Sequence, residues 1–269
     1  MPKPHIPTPP LIKKDIAMTP QRKLLLSTLI AAGLGLANTV QADTTLNSDP
    51  FSATQYGSDV SVNGGSPHLD TGTGSYTLYK NNNLLDSFTA YCFQPLQGVS
   101  SDVTYGSGLP YGSTSTLTKL DNAAPPDASP ATPVSAATQA AVKKLFDVYY
   151  SNTLSAIDAA GFQLALWEVE YDTTSSATTY DLSADNFKVT GVFDKSNGNT
   201  DVTTTVTGIA AGYLDFQSKT AVSNYQLTQW TNPTSQDFVS VNRVPEPASL
   251  ALLALGLAGV VGLRGRKQH

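Results

Sequence analysis

From Phe51 to Phe93 apolar and polar residues alternate in short runs broken by polar turns, the pattern of half-buried strands. Gly72-Thr73-Gly74 leads into Ser75 to Tyr79, Asn81-Asn82-Asn83 makes a turn, and Leu84 to Phe93 returns, which predicts a hairpin. Along the returning strand Phe88, Ala90 and Cys92 share one face, and Thr89, Tyr91 and Phe93 the other. The cysteine is therefore expected to point inward with Phe88. Pro125, Pro126, Pro130 and Pro133 predict an irregular loop over 121–134. The period then changes. Ser135 is a fitting N-cap for a helix in which Val142, Leu145, Phe146 and Tyr149 recur at i, i+3, i+4 and i+7. A second helix is expected from about Ser155 to Tyr171. Its centre, Phe162-Gln163-Leu164-Ala165-Leu166-Trp167, is apolar nearly all round, which marks a buried helix. Beyond it, Phe187 to Phe193 reads as a strand, Thr203 to Phe216 as a weak helix, and Tyr225 to Trp230 with Asp237 to Val241 as closing strands. The fold class that follows is α+β: an antiparallel β sandwich or barrel carrying a packed helical insertion near 135–150 and 155–171.

The two ends follow a different pattern. Met18 opens a short basic stretch with Arg22 and Lys23, Leu24 to Leu36 is apolar with small residues, and Val40-Gln41-Ala42 is a small-x-small cleavage site. Residues 1–42 are expected to be an upstream extension and an export signal helix starting at Met18. The globular domain then spans 43–241. In the remaining 242–269, Pro245-Glu246-Pro247 precedes Ala248 to Leu263, a run without a charge, and then Arg264, Arg266 and Lys267. At 1.5 Å per residue the apolar helix is about 24 Å long, enough for a thin membrane, and the basic stop holds that end in the cytoplasm. This tripeptide, helix and Arg/Lys cluster resemble the PEP-CTERM sorting signal of Gram-negative bacteria. The resemblance implies an exosortase-type transpeptidase as partner, transient residence in the inner membrane through the C-terminal helix, and delivery to the cell surface or extracellular matrix.

Composition narrows the chemistry. Charged residues make up 14% of the chain, below the roughly 25% usual for soluble domains, and Ser, Thr, Asn and Gly take their place. Residues 43–244 hold 19 Asp and Glu against 8 Lys and Arg, a net charge of −11. A surface so acidic excludes nucleic acid as a partner. Histidine occurs only at positions 5, 68 and 269, and no G-x-S-x-G elbow is present, so a Ser-His-Asp hydrolase lacks its parts. Too few Cys and His ligands exist for zinc, and no phosphate-binding Gly-rich loop occurs. Glu168 and Glu170 fall on roughly opposite sides of their helix, unlike a glycosidase pair. No enzyme activity, metal or cofactor is expected.

Two residues stand out. Cys92 is the only cysteine in a chain sent to an oxidising compartment, and Gln163 lies amid apolar neighbours, where an unsatisfied amide costs a few kcal/mol. Taken singly, the first reads as a small core hydrophobe and the second as a side chain bonded to a loop carbonyl. Taken together, Ala90-Tyr91-Cys92-Phe93 and Phe162-Gln163-Leu164-Ala165-Leu166-Trp167 resemble the thioester domains of bacterial surface adhesins, in which an aromatic-Cys-hydrophobic motif and a hydrophobic-Gln-x-x-hydrophobic-Trp motif join as an internal Cys-Gln thioester. Phe162 stands where Thr is common in the adhesins. The resemblance implies a β-rich body with a helical insertion, a thioester between Cys92 and Gln163, and an acyl donor for a Lys amine or hydroxyl on a matrix or cell-surface macromolecule. Tyr91 and Trp167 belong to the motifs as auxiliaries. Gly161 is expected to let the strand approach closely. Glu170 shares the Gln163 face and reads either as a base for the incoming amine or as a solvated carboxylate near the helix end. The alternative function is a non-reactive structural or carbohydrate-associated component of the biofilm matrix.

Overall fold

The structure, a computed structural model, describes residues 44–48, 55–65, 68–97, 103–105, 109–111, 118–120, 131–173, 179–221, 225–232 and 235–243. The chain divides into two compact units, 1–41 and 42–269, and every described residue belongs to the second. In chain order the elements are β1 (Thr44–Ser48), β2 (Tyr56–Val62), β3 (His68–Thr73), β4 (Ser75–Lys80), β5 (Asn83–Cys92), β6 (Val103–Tyr105), β7 (Leu109–Pro110), β8 (Thr118–Leu120), β9 (Ala131–Pro133), α1 (Ala136–Tyr149), α2 (Ala156–Asp172), β10 (Phe187–Asp194), β11 (Thr200–Asp201), α3 (Thr203–Tyr213), β12 (Tyr225–Trp230) and β13 (Phe238–Arg243). Among the described residues the strands form a seven-stranded sheet ordered β6-β1-β4-β5-β13-β12-β7, a four-stranded sheet ordered β11-β10-β2-β3, and the pair β8-β9. Every pairing is antiparallel, and the fold is α+β.

The central element is α2. It packs on β2, β3 and β10 of the smaller sheet, on β4 of the larger one, and on α1 and α3. Surrounded in this way, it has no face left for water, and every residue from Ala159 to Asp172 is buried. The apolar character of its centre is the sequence's answer to that position. Its start is set by Ser155, which accepts the Asp158 N–H at 3.2 Å while donating its hydroxyl to the Asp158 carboxylate at 2.6 Å. Ser135 caps α1 in the same manner, accepting from Thr138 N–H at 3.1 Å. Helix α1 buries one face only, through Thr138, Val142, Leu145 and Phe146.

Three expectations change. Gly161 does not admit a strand; it admits α3. A Cβ at Gly161 would lie 2.5 Å from Ile209 Cγ2 and 2.9 Å from Ile209 Cβ, so the missing side chain is what lets the two helices touch. The Pro-rich loop is partly a strand, since Ala131–Pro133 pairs with Thr118–Leu120. The weak helix ends at Tyr213 and tightens into a 3₁₀ turn over Leu214–Ser218.

The β4–β5 hairpin turns on Asn81 and Asn82, both at positive φ, as a two-residue turn of matching twist requires. Its register then slips: Lys80 opposes Asn83, whereas Tyr79 opposes Ser87. Leu84, Leu85 and Asp86 are left out of the ladder, and the two leucines are exposed. From Ser87 onward the pairing is regular, with Tyr76 opposite Ala90 and Ser75 opposite Tyr91.

The predicted signal helix over 18–42, the apolar run 248–263, Pro245, Glu246 and Pro247, and the basic residues Arg264, Arg266 and Lys267 lie outside the described residues. Among the described residues no helix is long and apolar enough to cross a membrane.

Candidate functional site

Cys92 ends β5 between two unlike neighbours. On one side it faces Phe238 of β13, and the Phe93 N–H donates to Asp237 O at 2.8 Å. Because N–H and C=O groups alternate sides along a strand, those of Cys92 point the other way, toward β4. There the ladder stops. Ser75 is the last β4 residue paired, and Gly74, which comes next opposite Cys92, has φ 131, a conformation that favours glycine and turns the chain away toward β3.

Gln163 of α2 occupies the vacated position. The Cys92 N–H donates to Gln163 Oε1 at 2.9 Å, and Gln163 Nε2 donates to Cys92 O at 2.8 Å. A side-chain carboxamide thus replaces a strand residue, and the partners determine which end is oxygen and which nitrogen. This pairing removes the cost of a polar side chain at 0% exposure. It also clamps the carboxamide to the residue that carries the thiol.

Cys92 is buried, and burial pushes its thiol well above the ordinary range. A hydrogen bond with the Tyr76 hydroxyl acts in the opposite direction, and the negative charge of Glu170 adds to the rise. Glu170 is itself fully buried, which removes the solvated-carboxylate reading. It lies seven residues beyond Gln163 on the same helix face, close enough to raise both the Cys92 thiol and the Tyr111 phenol.

The remaining motif residues lie around this centre without joining it. Tyr91 points to the opposite face of β5, where its ring packs against Phe146, Tyr150 and Phe162 at centroid distances of 5.9, 6.2 and 5.0 Å. Trp167 is buried toward β10, 6.1 Å from the Phe187 ring. Glu168 and Asp172 strap the following loop onto α2. Glu168 Oε1 accepts the Asp181 N–H at 2.7 Å, and Asp172 accepts from Asn186 N–H at 2.8 Å and Phe187 N–H at 3.0 Å. Burial, then the charge of Asp172, lifts the Glu168 carboxyl to about 8. Gln55, Thr73, Gly74, Ser75, Ala156 and Ala159 line a cavity of about 40 Å³, room for a water or an ammonia molecule.

Sequence reasoning missed Tyr76, Tyr111 and Gly74. Tyr76 sits on β4, whose register brings it here, Tyr111 follows β7 directly, with its N–H on Leu227 O at 3.0 Å, and the sequence shows Gly74 only as leading into a strand. A glycine ending the strand paired with Cys92 was the one available signal that a backbone edge stood open.

No curated protein matches the chain. Among solved structures, the N-terminal domain of the Streptococcus pyogenes pilus tip adhesin Cpa is similar at 15% identity and TM-score 0.38, over 74% of this chain and 99% of that one. The N-terminal thioester domain of the fibronectin-binding protein SfbI from Streptococcus pyogenes is similar at 14% identity and TM-score 0.38, over 74% of this chain and 98% of that one. The PEP-CTERM protein-sorting motif matches residues 243–267, and it marks this chain as an exported protein sorted to the cell surface of a Gram-negative bacterium.

Proposed function

We propose that this chain is a surface adhesin in which Cys92 and Gln163 join as an internal thioester and then couple covalently to an amine or hydroxyl of a partner macromolecule. The observation that carries the reading is the double hydrogen bond between the Gln163 carboxamide and the Cys92 peptide. An amide is a poor electrophile and a buried thiol a poor nucleophile, so the reaction depends on enforced contact. A helix and a strand locked together by two hydrogen bonds supply it.

In the bond-forming step Cys92 Sγ attacks Gln163 Cδ. Negative charge develops on Oε1, which already accepts the Cys92 N–H, and this backbone donor is fixed before the reaction begins. The Cδ–Nε2 bond then breaks, Nε2 takes up the thiol hydrogen, and ammonia leaves. In the second step an amine attacks the same carbon, the C–S bond breaks, and the amine's hydrogen returns to Cys92 as a thiol. Each molecule transfers its acyl group once, so the process is single-turnover coupling rather than enzyme catalysis, and it uses no metal or cofactor. The cavity between Gly74 and Ala159 offers a route for ammonia out and for a small amine in, since Gly74 adjoins the Cys92 position and Ala159 lies one turn before Gln163. Glu170, a buried carboxyl whose charge reaches Cys92, is the group able to exchange a proton with the thiol.

Delivery rests on the sorting motif. An exosortase-type transpeptidase cuts near Pro245-Glu246-Pro247 while Ala248 to Leu263 and the Arg264, Arg266 and Lys267 stop hold the chain in the inner membrane, and the protein passes to the surface or matrix.

The test is intact-mass measurement on the purified mature protein. The expected mass is one ammonia below that of the sequence, with methylamine taken up at Gln163. Cys92→Ala should keep the fold and lose both properties, because the backbone clamp does not use sulfur. An unshifted mass with a readily labelled thiol would leave the non-reactive matrix component as the function.

A further inference from the structure

We propose that Tyr76 is a catalytic residue of this thioester site: its hydroxyl holds the Cys92 thiol and donates to sulfur whenever sulfur carries charge. The inference rests on the thioester reading and goes past it, to a residue outside both motifs.

The placement follows from register. Tyr76 opposes Ala90, and Cys92, two residues beyond Ala90, shares its face of β5. A diagonal neighbour at this spacing is within reach of an aromatic side chain. The strands run antiparallel, so the direction from Ala90 to Cys92 is the direction from Tyr76 toward the start of β4. The side chain leans that way, because its hydroxyl donates to Gly72 O at 3.1 Å. Its ring meets Phe238 edge-on at 5.6 Å, and Phe238 opposes Cys92 on the other neighbouring strand. Tyr76 and Phe238 therefore flank the Cys92 side chain on the two neighbouring strands, which puts the Tyr76 hydroxyl within reach of the sulfur.

A hydroxyl has one proton and two acceptor positions. While the sulfur is a thiol, the Tyr76 oxygen can accept the S–H and pass its own proton to Gly72 O. When the thiol hydrogen leaves for the departing amide nitrogen, rotation about the C–O bond turns the Tyr76 proton onto sulfur. The phenol keeps its proton throughout, so nothing is added to or removed from the balance. The same rotation serves the second step, in which sulfur is expelled and again carries charge. The need is plain from the surroundings: burial and Glu170 both oppose a thiolate, and Tyr76 is the group that favours one. Among the described residues, the titratable groups facing Cys92 are Tyr76 from β4, Tyr105 from β6 and Glu170 from α2.

The experiment uses the mature protein refolded from denaturant, with ammonia loss followed by intact mass over a range of pH. In Tyr76→Phe, which keeps the ring against Phe238, bond formation and methylamine uptake should each slow about tenfold, the effect of one hydrogen bond to a charged sulfur, with the rate profile displaced to higher pH. Placing 3-fluorotyrosine, a more acidic phenol, at position 76 should displace the profile to lower pH, which a packing role would not do. A native protein that never loses ammonia overturns the thioester reading and this proposal together. A native protein that bonds, beside a Tyr76→Phe protein with the same rate and profile, overturns the role of Tyr76 alone. Should Tyr76→Phe fail to fold, an unmoved profile in the fluorinated protein overturns it.

Discussion

Glu168→Gln isolates one buried carboxyl of the helix that carries Gln163. Glu168 is fully buried, with Oε1 on the Asp181 N–H and Oε2 without a hydrogen-bond partner among the described residues. Burial, followed by the charge of Asp172, raises its carboxyl from an ordinary 4.5 to about 8, and the Asp181 N–H only partly counters this. The unfolded chain releases that proton near 4.5. Between 4.5 and 8 the folded protein therefore keeps a proton that the unfolded one has lost, and stability falls as pH rises through that window. At 1.36 kcal/mol per tenfold, the full climb is worth about 5 kcal/mol, present below 4.5 and gone above 8. Glutamine preserves the acceptor for Asp181 and cannot ionise. Asp172, also raised by burial, leaves a smaller slope of the same sign that starts near 3.8. The assay is urea unfolding of both proteins from about pH 4 to about pH 9, read by tryptophan fluorescence and extrapolated to water. The native protein should lose several kcal/mol across the window and the variant far less. Coincident slopes would mean that Glu168 is ionised in the fold and that the burial argument fails.

Gln163→Ala strips both partners from the buried Cys92 N–H and C=O, and at about 1–3 kcal/mol for each orphaned group it should cost about 2–6 kcal/mol, measured as a lower urea midpoint at constant slope. Gly161→Ala drives a Cβ to 2.5 Å from Ile209 and should cost about 1–3 kcal/mol in thermal unfolding, whereas Gly208→Ala, facing open space, should stabilise slightly through helix propensity. Loss of ammonia and uptake of methylamine, both absent in Cys92→Ala, together with the slowed, pH-displaced kinetics of Tyr76→Phe, test the chemistry itself.

Much of the scaffold was legible along the chain because it is a local matter. Ser135 and Ser155 carry the donors' partners for their own helix starts, and the centre from Phe162 to Trp167 announces burial by being apolar nearly all round. Asn81 and Asn82 tolerate the positive φ that a tight hairpin demands. Register was not legible. Counting back from the Asn81-Asn82 turn sets Tyr76 opposite Ser87, on the wrong face, and the unpaired Leu84, Leu85 and Asp86 shift the ladder until Ala90 arrives there instead. No local preference marks that slip, which is settled by what the far end of the strand packs against.

The site divides along the same line. Cysteine and glutamine, each out of place in its own segment, can be picked out by residue type and by the apolar company they keep. Their meeting depends on β4 ending at Gly74, on α2 crossing where a strand residue is missing, and on Gly161 turning toward α3, so that α2 settles deep between its neighbours. The sequence by itself determined which groups are chemically capable, since that is a property of each side chain and its nearest neighbours in the chain. Only the tertiary structure decided that an open pair of backbone groups would receive the carboxamide and that Tyr76 would share the face of Cys92 on the neighbouring strand. Contacts between residues 71 positions apart, as Cys92 and Gln163 are, follow from the summed packing of whole elements, not from anything written beside either residue.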